Sequence, residues 1–420
     1  MFSQPNRFIW SLVVLLVLFV VTPSQGATIT EYKTGLPINA APTEITSGPD
    51  GNLWFTDGGA NKIGRMTRTG VITEFSIPTP NAGPFGITSG PDGNLWFTEE
   101  SRGAIGRCTT SGVMDQFVGL TANALPTYIT AGSDGTLWFT EFGTGKIGHI
   151  TTSGVVHELS PPTNDGYSGI ISGSDGNIWF SEGTSRQIGR YSIQLNSFRE
   201  FPVGATNAVP QAMCVGPDGN IWFAIGGGNA AIGRIDELGH VTQFPLPLGS
   251  EGPADIVSGS DDNLWVATFN GIAKVSTSGV ATSYLTPTPR NNVFGITRGA
   301  DNDIYFVEEG VANPSYLGGQ LGKLVPTWEA RFTSKGGDGA ARVMWWNPDG
   351  RFYLSTVSAS GTTVNGPTYG PYNNIVPVSF ATASDNTSTI LWQQTLSSDA
   401  LLWFLNASNT RTATVALPGH

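Results

Sequence analysis

The chain has 420 residues and a formal net charge of −11, and only 13% of its residues are charged. It contains no cluster of Lys and Arg, which argues against nucleic acid or an anionic membrane surface as a partner. The abundance of Gly (55 residues) and Pro (27 residues) is typical of many short strands joined by tight turns. Two cysteines, Cys108 and Cys214, are too few for a disulfide framework, and we expect both to be buried free thiols.

The N-terminus carries an apolar run from Phe8 to Val21, followed by small residues at Ser24 and Gly26. Such a run is short for a transmembrane helix and is typical of an export signal. We therefore predict a signal peptide over residues 1–26 and a secreted, cell-envelope or periplasmic location. The alternative is an uncleaved segment that anchors the protein in a membrane.

One phrase, Gly-x-Asp-Gly-x-Leu-Trp-Phe, recurs seven times along the chain, with steps of 40 to 43 residues between its aromatic positions. These aromatic residues are Trp54, Trp96, Trp138, Trp179, Trp222, Trp265 and Tyr305. A period near 40 residues, built from short β runs and Gly-rich turns, is the signature of a β-propeller with one blade per repeat. We predict an all-β fold with a seven-bladed propeller over residues 27–326.

Each repeat reads as four short strands. Because blade sheets pack face to face, both faces of the second strand are covered, which explains the uninterrupted apolar Leu-Trp-Phe. We assign the repeated Trp to packing between blades. The Asp-Gly pairs supply the positive φ of a tight turn, and we interpret their aspartates as turn formers and not as metal ligands.

The seventh repeat has no fourth strand of its own. Directly after the predicted signal stands Thr28–Tyr32, which matches the fourth strand of the first repeat around Phe75. We predict that residues 28–33 complete the seventh blade and close the ring, leaving no open edge between the first and last blades.

Residues 327–420 carry a different pattern, with Trp345 and Trp392 at corresponding places 47 residues apart. We predict a small β-rich C-terminal module, and the sequence leaves open whether it is a barrel, a sandwich or a pair of blade-like sheets. Its aromatic residues suit core packing better than sugar binding.

A carboxylate ends the second strand in five of the seven repeats; the five are Asp57, Glu99, Glu141, Glu182 and Glu308. The other two repeats have Ile225 and Thr268 at this position. We expect the five carboxylates to converge on one rim of the central channel, with Glu44, Glu251 and Asp255 on the same side. One interpretation is structural pairing with nearby cations, namely Lys62, Arg102, Lys146 and Arg186. The other is a site for Mg²⁺ or Ca²⁺ held by Glu99, Glu141, Glu182 and Glu308.

Aromatic residues begin the first strands of several repeats on that same side: Phe85, Tyr128, Tyr167 and Phe294. Concave, partly aromatic clefts with a few polar groups are the usual small-molecule sites. We predict that these four side chains form the floor of a ligand pocket.

The blade phrase, with Ile-Gly-Arg-Ile-Thr and Ile-Thr-Glu-Phe in its third and fourth strands, resembles the streptogramin lyase (virginiamycin B lyase) family over residues 28–325. The resemblance implies a Mg²⁺-assisted elimination that opens the ester of a cyclic depsipeptide antibiotic. It also implies histidines that manage the proton, in a Pro-His-(Gly/Ala)-Ile motif at the start of the first strand of late blades.

This chain departs from that motif in every repeat. The motif's histidine position is occupied by Thr43, Phe85, Thr127, Ser168, Gln211, Ala254 and Phe294. The four histidines of the chain, His149, His157, His240 and His420, lie elsewhere.

Two functions remain open on these observations. The first is a monomeric binding scaffold that holds a small molecule, a cell-wall polymer or another protein on one propeller face. The alternative is a magnesium-dependent carbon–oxygen lyase acting on streptogramin B antibiotics, or a related lactone-acting enzyme, for which Glu308 and Glu251 are the candidate catalytic residues.

Overall fold

The structure is a computed structural model. It describes residues 27–163, 165–204, 208–227, 230–247, 250, 252–288, 292–309 and 318–325, together with residue 340 and eight strands between residues 329 and 417. The predicted signal peptide, residues 1–26, and the candidate Glu251 lie outside the described residues. No helix within the described ranges has the length and apolar character needed to cross a membrane.

Seven four-stranded antiparallel sheets form the blades, and their strands lie between residues 28 and 325. Blades 1 to 3 consist of β2 (Pro42–Ser47), β3 (Leu53–Asp57), β4 (Lys62–Met66), β5 (Ile72–Ser76), β6 (Pro84–Ser89), β7 (Leu95–Glu99), β8 (Ala104–Cys108), β9 (Met114–Phe117), β10 (Pro126–Ala131), β11 (Leu137–Glu141), β12 (Lys146–Ile150) and β13 (Val156–Leu159). A 3₁₀ turn, Glu100–Arg102, follows β7.

Blades 4 to 7 repeat the same meander. Their strands are β14 (Tyr167–Ser172), β15 (Ile178–Glu182), β16 (Gln187–Ser192), β17 (Ser197–Pro202), β18 (Val209–Val215), β19 (Ile221–Gly226), β20 (Ala231–Ile235), β21 (Val241–Pro245), β22 (Asp255–Ser258), β23 (Asn263–Thr268), β24 (Gly271–Ser276), β25 (Ala281–Leu285), β26 (Val293–Arg298), β27 (Ile304–Glu308) and β28 (Gln320–Val325). The first strand of each blade contacts the first strand of the next, and β26 contacts β2, so the predicted seven-bladed propeller is confirmed.

The repeated tryptophans lie between blades and are fully buried. Each indole N–H donates to the aspartate of the turn before its strand; the Nε1-to-Oδ1 distance is 3.0 Å for Trp54 and Asp50 and 2.8 Å for Trp222 and Asp218. In blade 7 the Tyr305 hydroxyl donates to Asp301 in the same way, at 2.8 Å. The turn aspartates therefore satisfy a buried donor that would otherwise lack a partner, in addition to forming the turn.

A cation or a histidine of the third strand stacks on each of these buried rings. The Arg107 guanidinium lies 5.5 Å from the Trp96 ring centroid, and His149 takes the same place in blade 3, 4.5 Å from Trp138. Burial, and then the neighbouring His157, lower the pKa of His149. His149 and His157 thus stack on the third and fourth strands of blade 3, away from the axis.

The N-terminal strand β1 (Thr28–Tyr32) pairs antiparallel with β28, with Thr28 opposite Val325 and Tyr32 opposite Leu321. Glu31 also accepts hydrogen bonds from the backbone N–H and the hydroxyl of Thr288, at 2.9 and 2.6 Å. The predicted closure of blade 7 by the N-terminus is confirmed. Cys108 and Cys214 are free and buried, as expected.

Two further four-stranded antiparallel sheets follow the propeller in sequence. Their strands are β29 (Glu329–Lys335), β30 (Ala341–Trp346), β31 (Phe352–Val357), β32 (Thr363–Tyr369), β33 (Ile375–Thr382), β34 (Ser388–Gln394), β35 (Ala400–Leu405) and β36 (Arg411–Leu417). The division of the chain at residues 326 and 327 stays a prediction.

Replacing Glu31 by alanine is expected to destabilise the propeller, because both hydrogen bonds to Thr288 are lost where the ring closes. We expect a loss of about 1–3 kcal/mol in the free energy of unfolding, measured by urea denaturation. The exposed neighbour Thr30 provides the control, since its replacement by alanine removes no described contact of this kind. Equal effects of the two substitutions would contradict this role for Glu31.

Candidate functional site

A β-bulge near the start of the first strand is present in six of the seven blades. A bulge re-aims the side chain that it releases from the regular ladder. In each blade one residue of the first strand pairs with the phenylalanine of Trp-Phe or Tyr-Phe on the second strand, or with Val266 in blade 6; we call the residue directly before it the axial residue. The seven axial residues are Glu44, Gly86, Tyr128, Gly169, Ala212, Asp255 and Gly295.

Three axial residues are glycine because neighbouring first strands approach closely. A Cβ atom on Gly295 would lie 2.8 Å from the Thr43 carbonyl oxygen of the next blade, and one on Gly169 would lie 2.7 Å from that of Gln211. Real Cβ atoms are not found at such distances from a backbone oxygen. The axial residues with side chains larger than a methyl group are therefore Glu44, Tyr128 and Asp255.

The bulges of blades 1 to 3 are held by the threonine of Trp-Phe-Thr. The Thr56 hydroxyl accepts the N–H of Glu44 at 3.1 Å and donates to the Phe85 carbonyl of the next blade at 2.6 Å. Thr98 does the same for Gly86 and Thr127, at 2.9 and 2.6 Å. One side chain thereby fixes the backbone of an axial residue and ties two blades together.

Glu44, Tyr128 and Asp255 belong to blades 1, 3 and 6, which are not neighbours in the ring. Nevertheless Glu44 and Asp255 both reach the first strand of blade 7: a Cβ atom on Gly295 would lie 3.2 Å from Glu44 Oε2, and the N–H of Ile296 donates to Asp255 Oδ2 at 2.8 Å. The Phe85 ring contacts both Tyr128 and Phe294 and so joins Tyr128 to the same group of side chains. Side chains of non-adjacent blades meet only at the axis. All three therefore project into the central channel.

The two channel carboxyl groups are buried together. Glu44 is 8% exposed, and burial, followed by the charge of Asp255, raises its pKa well above the ordinary value, although the N–H of Ile45 opposes this. Burial also raises the pKa of Asp255 to about 7, against hydrogen bonds from the N–H groups of Ile296 and Ile256 at 2.8 and 2.7 Å. Glu44 Oε1, in contrast, is buried without a hydrogen-bond partner.

An aromatic layer lies beside these carboxyl groups. The Phe85 ring packs edge-on against Tyr128 at 5.3 Å and against Phe294 at 6.0 Å, between ring centroids. All three side chains keep partial exposure. The structure thus brings together three of the four predicted pocket aromatics, while the side chain of Tyr167 lies outside its description.

The expected convergence of the second-strand carboxylates on the channel is wrong. The four glutamates instead bond to the outer strands of their own blade or to the hairpin that follows, whereas Asp57 bonds to that hairpin and to the segment before its first strand. Glu99 accepts a hydrogen bond from Gln116 on the fourth strand, Glu308 from Gln320 on the third strand, Glu141 from Thr144 and Glu182 from Ser185. Asp57 accepts the N–H groups of Ala41 and Ala60.

Two of the cations named from the sequence form their ion pairs with other acids. Lys62 and Lys146 bond to the fourth-strand acids Glu74 and Glu158, at 2.7 and 2.8 Å. Burial, opposed by Thr144 and reinforced by Glu158, raises the pKa of Glu141 to about 7. The described residues contain no group of three or more His, Cys, Asp or Glu side chains placed to hold a metal ion. Binding of Mg²⁺ or Ca²⁺ stays a prediction.

Sequence reasoning placed Glu44 and Asp255 on the same side of the disc without recognising them as a pair. The available signal was their position, two residues after Pro42 and Pro253, where three other repeats have glycine. A carboxylate in a place where the chain otherwise removes the side chain is a sign of a channel-facing group.

Replacing Glu44 by glutamine is expected to raise the free energy of unfolding, and to raise it more at pH 8 than at pH 5. A carboxyl group with a raised pKa binds more protons in the folded state, so its contribution to stability falls as pH rises through that pKa. Urea unfolding at both pH values measures this difference.

The substitution of Glu158 by glutamine gives the opposite expectation. Despite partial burial, bonds from Lys146 and Thr121 lower the pKa of Glu158 to about 2, so this carboxylate stabilises the fold at neutral pH.

A Glu44→Gln variant with the same stability difference from the unsubstituted chain at pH 5 and pH 8 would contradict the burial of a carboxyl pair in the channel.

Similar solved structures share the propeller. One described as a streptogramin B lyase is 30% identical over 72% of this chain and 98% of its own, with a TM-score of 0.66. A catalytically inactive His-to-Ala virginiamycin B lyase from Staphylococcus aureus, with quinupristin, is 29% identical over 71% of this chain and 99% of its own, with a TM-score of 0.65. The extracellular domain of a hybrid two-component system from B. thetaiotaomicron, at 11% identity and a TM-score of 0.57, covers 94% of this chain and 60% of its own and shares the fold alone.

Among curated protein sequences none matches this chain. The model of the virginiamycin B lyase family matches residues 20–267 and 118–314, which together span well over half of the sequence. Combined with the seven closed blades and the 30% identity to a streptogramin B lyase over nearly its whole length, this match shows that the chain belongs to the virginiamycin B lyase family.

Proposed function

We propose that this protein is a ligand-binding propeller of the virginiamycin B lyase family that does not carry out the lyase elimination. The observation that carries the proposal is the content of the channel. At the place where the family resemblance implies proton-managing histidines in the late blades, the first strands present Gln211, Ala254 and Phe294. None of these three side chains has a group that titrates, so none can accept or donate the proton of an elimination.

The described histidines are not placed to substitute for them. His149 is packed between Trp138 and His157 in blade 3, and His240 is an exposed residue bonded to Asp236 at 2.9 Å. In the Staphylococcus aureus enzyme a His-to-Ala change accompanies a catalytically inactive protein that was nevertheless crystallised with quinupristin. That case supports a site in this family that keeps a ligand after its chemistry is lost.

Glu308, the candidate catalytic carboxylate, also has a structural environment. Its side chain is fully buried and accepts a hydrogen bond from Gln320 of the neighbouring strand. Gln320 in turn donates to Thr288, the residue held by Glu31 of the closing strand. This network supports a role for Glu308 in closing blade 7.

We further infer that the protein acts outside the cytoplasm. The support for this is the apolar segment Phe8 to Val21 with small residues after it.

The test is an incubation of the purified chain with quinupristin and Mg²⁺, followed by chromatography and NMR for the alkene and the free carboxyl group that ring opening creates. We expect no product above a protein-free control, while a streptogramin B lyase run in parallel gives complete opening. Saturable opening that a Glu308→Gln substitution abolishes would overturn the proposal.

A further inference from the structure

We propose that the channel site formed by Glu44, Asp255, Phe85, Tyr128 and Phe294 binds a small organic ammonium ion. The inference rests on the proposed binding function and names its ligand class. It is carried by the geometry of the axial residues and by an unused hydrogen-bond acceptor inside the channel.

The acceptor is Glu44 Oε1. It is buried and has no hydrogen-bond partner, whereas both oxygens of the opposing Asp255 are bonded to backbone N–H groups. Buried polar atoms are nearly always satisfied, and one that is not calls for an explanation, such as a missing ligand. The carboxyl group of Glu44 lies against Gly295 of blade 7, where a Cβ atom would come within 3.2 Å of Glu44 Oε2.

The walls beside this acceptor are aromatic. Phe85 contacts Tyr128 of blade 3 and Phe294 of blade 7, so three rings from three blades surround the axis next to the carboxyl pair. The face of an aromatic ring attracts a cation within about 6 Å of its centroid, and cages of several rings recognise alkylated ammonium groups. The rings supply both this attraction and an apolar surface for the carbon substituents of the ligand.

The charges and ligand types select the class of ion. Two carboxyl groups in one channel repel anions. Hard divalent cations require about six to eight oxygen ligands, and the groups that face Glu44 and Asp255 here include three aromatic rings instead of further carboxylates. A soft, weakly hydrated organic cation matches both features, since it needs one counter-charge and gains from contact with the rings.

The experiment compares choline chloride with its neutral isostere 3,3-dimethylbutan-1-ol, at constant ionic strength, by isothermal titration calorimetry on the full chain. We expect saturable binding of choline and at least tenfold weaker binding of the alcohol. The Glu44→Gln and Phe85→Ala variants are each expected to weaken choline binding at least tenfold, with circular dichroism verifying their fold. Glu141→Gln is the matched control, because Glu141 is also buried and also has an oxygen without a hydrogen-bond partner, but bonds to Thr144 in the hairpin of its own blade. The affinity of this variant for choline should stay within twofold.

Equal affinity for choline and the alcohol, no binding of choline to the folded chain, or unchanged affinity in Glu44→Gln would each overturn the inference. Displacement of choline by equimolar Mg²⁺ would overturn it in favour of a divalent site. Opening of quinupristin would overturn the proposed function without affecting the choline result, so the two failures are distinguishable.

Discussion

The close packing of seven first strands around one axis is the constraint from which the site follows. The strands approach until a Cβ atom on Gly169 or Gly295 would overlap the backbone of the next blade. Few of the axial residues can therefore carry a large side chain, and the large side chains that are present face one another across the channel. Two of the three are carboxyl groups, and bringing two such groups together away from water favours a protonated form or a bound cation.

The rest of each blade holds these strands in place. The buried tryptophans are tied to the turn aspartates, and the Trp-Phe-Thr hydroxyls in blades 1 and 2 join the axial backbone to the next blade. Further out, fourth-strand acids clamp the connection that leads into the blade: Glu158 binds the N–H and hydroxyl of Thr121, and Glu200 those of Thr163. The carboxylates of the outer strands thus serve the architecture.

The sequence was sufficient to predict the number of blades and their closure, because the repeat spacing and the match of Thr28–Tyr32 to a fourth strand follow directly from the residues. It was not sufficient to predict where the second-strand carboxylates point. Glu99 shares a strand face with Phe97, whose ring lies against Gly106 of the third strand, so both side chains lean outward. That direction depends on the pleat and on the space above a glycine, and neither is visible in a pattern of acidic residues.

The pairing of Glu44 with Asp255 was equally hidden, since the two residues are 211 positions apart and belong to non-adjacent blades. The most direct measurement of this pairing is a carbon-13 NMR titration of the side-chain carboxyl groups in labelled protein. Two coupled carboxyl groups titrate above their ordinary range, and an Asp255→Asn substitution then moves the Glu44 transition to lower pH. Ordinary, independent transitions for both residues would show that they do not share the channel and would remove the basis for the site.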